Sequence, residues 1–157
     1  MGGRELEQLS LTPALRSSVD RYGSVHRTPV NRALHYIGIP LLGIAALGLL
    51  CQLSLPIGTG IAALEPNAAW LALLFAAGWY LWLGGVLGLL PLAIVIVCYV
   101  IGSLLSTVVL VVLFAAGTVA HLIGHYGFEG KPPAFFSNPL SVLAAPAWLV
   151  AILAGRE

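Results

Sequence analysis

AAWLALLFAAGWYLWLGGVLGLLPLAIVIVCYVIGSLLSTVVLVVLFAAGTVA, residues 68–120, contains not one Asp, Glu, Lys or Arg. A helix crosses the hydrocarbon core of a bilayer in about 20 apolar residues, so this run is too long for one crossing and must fold back. It holds either two long helices or three short ones. Gly84-Gly85 and Gly102-Ser103 are candidate turns, and Pro91 suits an early helical position. The spacing favours three helices, over 68–83, 86–102 and 105–125. The first is short for a core of ~30 Å. Trp79, Tyr80 and Trp82 near its end make an aromatic belt at the membrane surface.

Working outward, a further apolar segment runs from Ala33 to Leu55, with Pro40 inside it. Pro56, Gly58, Gly60 and Pro66 then mark a loop whose only charge is Glu65. Beyond the long run come a polar loop, 126–138, and a last apolar segment, 139–154, carrying Pro146. That segment is short enough to be spanning or re-entrant. Residues 1–32 are polar and mixed in charge. Thr12-Pro13 is a helix start, with threonine as N-cap and proline at the first helical position, and gives an interfacial helix over 12–25 that Pro29 interrupts. The expectation is an all-α integral membrane bundle with about five transmembrane or re-entrant helices. An N-terminal interfacial helix precedes them, and residues 1–157 form one domain.

Composition agrees. Hydrophobic residues are 59% of the chain and charged residues 8%, where a soluble domain carries about a quarter charged. The net charge of +1 leaves no electrostatic footprint for nucleic acid. Arg4, Arg16, Arg21, Arg27 and Arg32 precede the apolar body, and only Lys131 and Arg156 follow. By the positive-inside rule the N-terminus is cytoplasmic, in a bacterial plasma membrane or, in a eukaryote, the endoplasmic reticulum. Glu5, Glu7 and Asp20 argue against a cleaved signal or transit peptide. Met1-Gly2 lacks the Ser or Thr at position 6 that myristoylation wants. Cys51 and Cys98 lie in apolar segments and read as small hydrophobes.

The polar residues that stand out are the four histidines, in two pairs at the ends of the apolar body: His26 with His35, and His121 with His125. An intramembrane or interfacial imidazole is a candidate functional group because burial in lipid is costly. His121 and His125 are four apart on one helical face and can address one ion. Glu129 continues that face if the helix persists past Gly127. The bland reading is that these groups bond to backbone or headgroups at a helix end. His35 then becomes an interfacial anchor, and His26 is merely solvated. Asn31, four before His35, either orients an imidazole or is a plain N-cap, and Tyr22 stands in the same relation to His26. If all four histidines share one site, the chain must cross three times between residues 68 and 125, which supports the three-helix reading.

Two blocks carry a resemblance. His26-x4-Asn31-x3-His35-x2-Gly38-x-Pro40 and Gly124-His125-x2-Phe128-Glu129-x3-Pro133-Ala134, separated by apolar helices, resemble the signature of the 2-hydroxy fatty acid dioxygenases. That family is described in fungal sphingolipid breakdown and has many bacterial relatives. The resemblance extends over essentially the whole chain. It implies a membrane-embedded enzyme using Fe(II) and O2. Such an enzyme shortens a long-chain 2-hydroxy fatty acid by one carbon, without a 2-oxoglutarate co-substrate. His26, His35 and His125 match the motif directly as iron ligands. The family often carries glutamine where His121 stands, so His121 is a fourth ligand or an outer donor. Glu129 matches a motif position as a catalytic group, ligand or orienting group. Asn31 matches another, and Tyr22 is placed with it in the outer shell. Arg27, Arg32 or Lys131 can hold the substrate carboxylate by charge-assisted hydrogen bonds.

Two other classes fit the residues. Histidine pairs in a helical bundle can ligate haem b in a non-catalytic electron carrier. Histidines can also line a polar cavity in a small channel, transporter or scaffold, although the paired broken-helix repeats of many transporters are absent.

Overall fold

The computed structural model describes residues 12–57 and 66–154. Arg4, Arg156, the Met1-Gly2 start and the loop residues Gly58, Gly60 and Glu65 lie outside the described residues.

Each helix starts where local chemistry allows it. Helix α1, Pro13–Gly23, is capped by Thr12, whose hydroxyl accepts the Leu15 amide at 3.2 Å. It buries Leu15, Val19 and Tyr22, a stripe at helical spacing. Helix α2, Pro29–Cys51, begins earlier than the apolar pattern suggests: Thr28 is its N-cap and Pro29 its first residue. Pro29 therefore opens a helix rather than interrupting one, and Asn31 lies inside α2 instead of capping it. Pro40 is accommodated within the helix.

The uncharged run folds as α3, Ala68–Gly84, a 3-10 turn Gly85–Gly88, α4, Leu89–Ser103, and α5, Thr107–Leu122. Gly85 has φ +52°, a conformation that favours glycine. Gly88 lies so close to the Tyr80 carbonyl that a Cβ there would overlap it. The chain thus reverses at Gly85, and α3 and α4 form an antiparallel hairpin: Ala69 at the start of α3 shares a core with Cys98 near the end of α4. The second reversal falls at 104–106, after Gly102. Gly102 is not a turn residue: its bare Cα lies against the Ile44 carbonyl and Gly48 of α2. Both ends of the α2–α3 loop meet in one antiparallel bridge, Ser54 with Asn67.

The glycine contacts give the directions. Gly43 faces Cys98 and Gly48 faces Gly102, so α2 and α4 run parallel. Gly38 faces His121 and Gly48 faces Leu110, so α2 and α5 run antiparallel. Four apolar segments therefore stand side by side, and the end of α5 returns to the face where α2 began. Among the described residues, three helical runs are long and apolar enough to cross a membrane: Pro29–Cys51, Ala68–Ser103 (the hairpin) and Thr107–Glu129. Their outer surfaces are apolar, with Leu74 69%, Val108 75% and Val112 61% exposed. Exposed apolar surface of this extent is what a lipid environment requires.

The last helix, α6, Ser141–Leu153, has 13 residues, about 20 Å. It packs chiefly on α1 at the histidine end of the bundle, in a core with Leu15, Val19, Tyr22 and Trp148. The fully buried Tyr80 ties it down, its hydroxyl donating to the Leu143 carbonyl at 2.7 Å. Thr12 binds the Leu83 carbonyl, joining α1 to the α3 turn. Together α1 and α6 close the end of the bundle that holds the four histidines.

Candidate metal centre

His26 sits in the turn between α1 and α2, His35 two turns into α2, and His121 at the end of α5. His125 lies in a π-helical continuation of α5, Ile123–Glu129. The expected helix through Glu129 thus persists, but in a widened form. π-Turns occur mostly as single insertions in α-helices, often at functional sites. Gly130 ends this one in the left-handed region at φ +65°.

Three imidazoles converge. One ring nitrogen from each of His26, His35 and His125 falls within 4.8 Å of the others, and all three side chains are buried. Their ring centroids are 4.3 Å apart for His26–His35 and 4.9 Å for the other two pairs. The tautomers follow from the backbone. His26 Nδ1 lies 2.6 Å from the Tyr22 carbonyl and His35 Nδ1 lies 2.8 Å from the Asn31 carbonyl. Each Nδ1–H therefore donates to a carbonyl one turn back, and each Nε2 is left with a free lone pair. Both Nε2 atoms, and Nδ1 of His125, are buried without a hydrogen-bond partner. Buried polar groups are normally satisfied. Unsatisfied nitrogens on three rings gathered this closely fit a cation. Burial also holds His26 down to a pKa of about 4, because an imidazolium there would lose its hydration. The ligand form is the neutral one.

His121 stands beside this group. Its ring lies 4.0 Å from that of His35 but 6.5 Å from that of His125, and its Nδ1 is likewise buried without a hydrogen-bond partner. Gly38 makes room for it: a Cβ there would sit 2.8 Å from His121 Nδ1.

Glu129 does not join the histidines. Its Oε1 accepts the amides of Arg27 and Thr28 at 2.7 Å each, and the Thr28 hydroxyl and Asn31 Nδ2 at 3.1 Å. Asn31 touches His35 through its main-chain carbonyl, while its side chain turns to Glu129. Tyr22 likewise serves His26 through its carbonyl, and stacks on that ring at 4.2 Å. Burial raises the Tyr22 phenol well above its ordinary pKa. Arg27 Nε donates to the Ser24 carbonyl and Arg32 Nε to the Tyr36 hydroxyl. Lys131 is exposed just beyond the π-turn.

Trp148 carries no sequence signal, being one aromatic in a short apolar helix. It is buried at 3% exposure, with its ring 5.3 Å from His26, 5.4 Å from Tyr22 and 5.6 Å from Tyr36. Gly23 makes room for it: a Cβ there would lie 3.3 Å from the indole nitrogen. Gly124 stands in the second motif block, and its contacts give the reason for a glycine there. Its bare Cα lies against Asn31 Oδ1, where any side chain would overlap.

No curated protein and no solved structure matches the chain. A family model described as 2-hydroxy-palmitic acid dioxygenase Mpo1-like matches residues 13–157, from the first helix through both histidine blocks to the end. As those blocks suggest, the chain belongs to the Mpo1-like family of 2-hydroxy-palmitic acid dioxygenases.

Proposed function

We propose that the protein is a membrane-embedded, iron-dependent dioxygenase that shortens 2-hydroxy fatty acids by one carbon. The observation that carries this reading is the set of three buried, unpartnered imidazole nitrogens of His26, His35 and His125 in a chain of the dioxygenase family. Imidazole ligands suit several transition metals, and the choice of iron rests on the oxygen chemistry that the family name implies.

Fe(II) held by these residues supplies the one-electron chemistry that lets O2 react with a closed-shell acid. The residues of the chain do the rest. The carbonyls of Tyr22 and Asn31 fix the tautomers of His26 and His35, as outer-shell partners of metal ligands do. Trp148 and Tyr22 wall His26 off from water. In this reading Arg27, Arg32 or Lys131 holds the substrate carboxylate by a charge-assisted hydrogen bond, while the alkyl chain stays among the apolar helices. A balanced reaction takes one O2 per 2-hydroxy acid and gives the shorter acid, carbon dioxide and water.

The close packing of the rings speaks against a haem carrier. With His26, His35 and His125 all within 4.9 Å of one another, the third ring occupies the space a porphyrin needs between the other two. The test is elemental analysis and an absorption spectrum of detergent-purified protein, then turnover of 2-hydroxypalmitate under O2. The expectation is non-haem iron and a fifteen-carbon acid, both lost in His35→Ala and His125→Ala. Iron-free protein after anaerobic Fe(II) loading, or full turnover by those variants, would overturn it.

A further inference from the structure

Helix α2 begins with an unusual gap. The first turn of a helix favours an acidic residue, because its free N–H groups and the helix dipole attract negative charge. In the common capping box, a Glu or Gln three residues past the N-cap reaches back to the N-cap amide. The first turn of α2 has no acidic residue, and its third position is Asn31. The missing carboxylate comes from Glu129, 101 residues further on, which takes the Thr28 amide, the Arg27 amide and the Thr28 hydroxyl together. Asn31, at the position where a Glu would stand, donates its side-chain amide to the same oxygen.

This bond set joins the pieces that carry the histidines. Arg27 and Thr28 directly follow His26. The Asn31 carbonyl holds His35 Nδ1 at 2.8 Å. Glu129 ends the π-turn that carries His125. We infer that Glu129 is a positioning residue that closes the capping box of α2 from a distance. It thereby locks the His125 turn against the two segments bearing His26 and His35. It acts on the metal through geometry and contributes no donor atom. This role rests on the metal site proposed above. It also explains why the residue is glutamate: the chain must reach past the end of the π-turn to the amides of α2.

The test uses the full chain in detergent with Glu129→Gln, Glu129→Asp and Glu129→Ala. Co(II) is titrated against a chelator as a coloured probe, and amide hydrogen exchange is followed across residues 24–31 in the metal-free protein. The glutamine amide oxygen keeps the reach of the glutamate and can still accept the Arg27 and Thr28 amides with its two lone pairs, whereas the aspartate carboxylate is one methylene too short. Glu129→Gln is expected to bind Co(II) within a few-fold of wild type with an unchanged visible band. Glu129→Asp and Glu129→Ala are expected to bind it about 10- to 100-fold more weakly, as loss of an outer-shell partner commonly does, and to exchange Arg27 and Thr28 faster. The opposite order, with Asp retaining the metal and Gln losing it, would make Glu129 a ligand and overturn the inference. If Glu129→Ala does not fold, the Gln–Asp comparison decides. If the wild type takes up neither Co(II) nor iron, the metal reading fails by itself. The exchange data then still decide whether the capping contact exists: identical exchange in all four proteins would refute it.

Discussion

Replacement of Gly124 by alanine tests the closeness of α2 and the π-turn most directly. In an ordinary helix the change stabilises by about 1 kcal/mol. Here the added Cβ would stand 3.1 Å from Asn31 Cγ, 3.3 Å from His35 Cε1 and closer still to Asn31 Oδ1. Ordinary contact begins near 3.4 Å, so on the order of 1 Å of separation is needed to relieve the overlap. The Asn31 side chain is held by Glu129 through Nδ2 and its backbone carbonyl by His35, so moving it out of the way breaks the Glu129 bond. Overpacking of this kind costs about 1–3 kcal/mol, enough to reverse the usual gain. The consequence for metal is larger. Ligand distances tolerate about 0.2 Å, and the displaced turn carries His125. Gly124→Ala is therefore expected to lower the thermal midpoint in detergent and to lose most of its bound metal. Gly127→Ala is the control, since its Cβ meets only Ile123 Cγ2 at 3.9 Å. It should match wild type in both assays. A Gly124→Ala protein as stable and as metal-rich as the Gly127→Ala control would refute the geometry.

Three other outcomes follow from the same contacts. Gly88→Ala should destabilise the α3–α4 hairpin more than Gly85→Ala does, because the first forces a Cβ against the Tyr80 carbonyl. The second meets only a strained φ, worth about 1–3 kcal/mol; equal melting of the two variants would contradict this. Tyr80→Phe should cost about 1–3 kcal/mol by leaving the Leu143 carbonyl without its donor, read as earlier proteolysis after α5 with the bundle intact; unchanged digestion would argue against the anchor. In metal-free protein, stability should fall as pH drops from 6.5 towards 4. The folded pKa of His26 is depressed to about 4, so the unfolded chain takes up the proton first. The contribution is about 3 kcal/mol, and a flat stability profile over that window in wild type, or an equally steep one in His26→Gln, would contradict it.

The helices were legible because their signals are local. Thr12-Pro13 marks α1, the charge-free run marks the crossings, and the shared-site argument selects three of them. Two glycine readings diverged for a physical reason: Gly84-Gly85 is a true reversal, while Gly102 is small so that α2 can touch α4. A sequence shows that a position is bare, but not whether a turn or a neighbour needs it so. The histidine cluster was partly legible, since polar residues are rare in this chain and each stands out. What was hidden depends on contacts across 100 residues. Thr28 caps α2, whose first residue, Pro29, stands four residues before the apolar pattern begins at Ala33. Glu129 turns to that helix start instead of to the histidines, and Trp148 arrives from the last helix. The π-turn has no periodicity long enough to read.

The order of donors along the chain also bears on how the protein is made. His26 and His35 emerge with the first crossing, but His125 follows three more crossings. Until the last of these has been inserted, the early imidazoles have only half of their surroundings, and no three-nitrogen cradle exists. If the three imidazoles hold a metal as proposed, its loading is a late event in biogenesis, at the face where the first and last helices meet. A ribosome stalled before residue 125 would display a chain that has entered the membrane but lacks the third imidazole of the cradle.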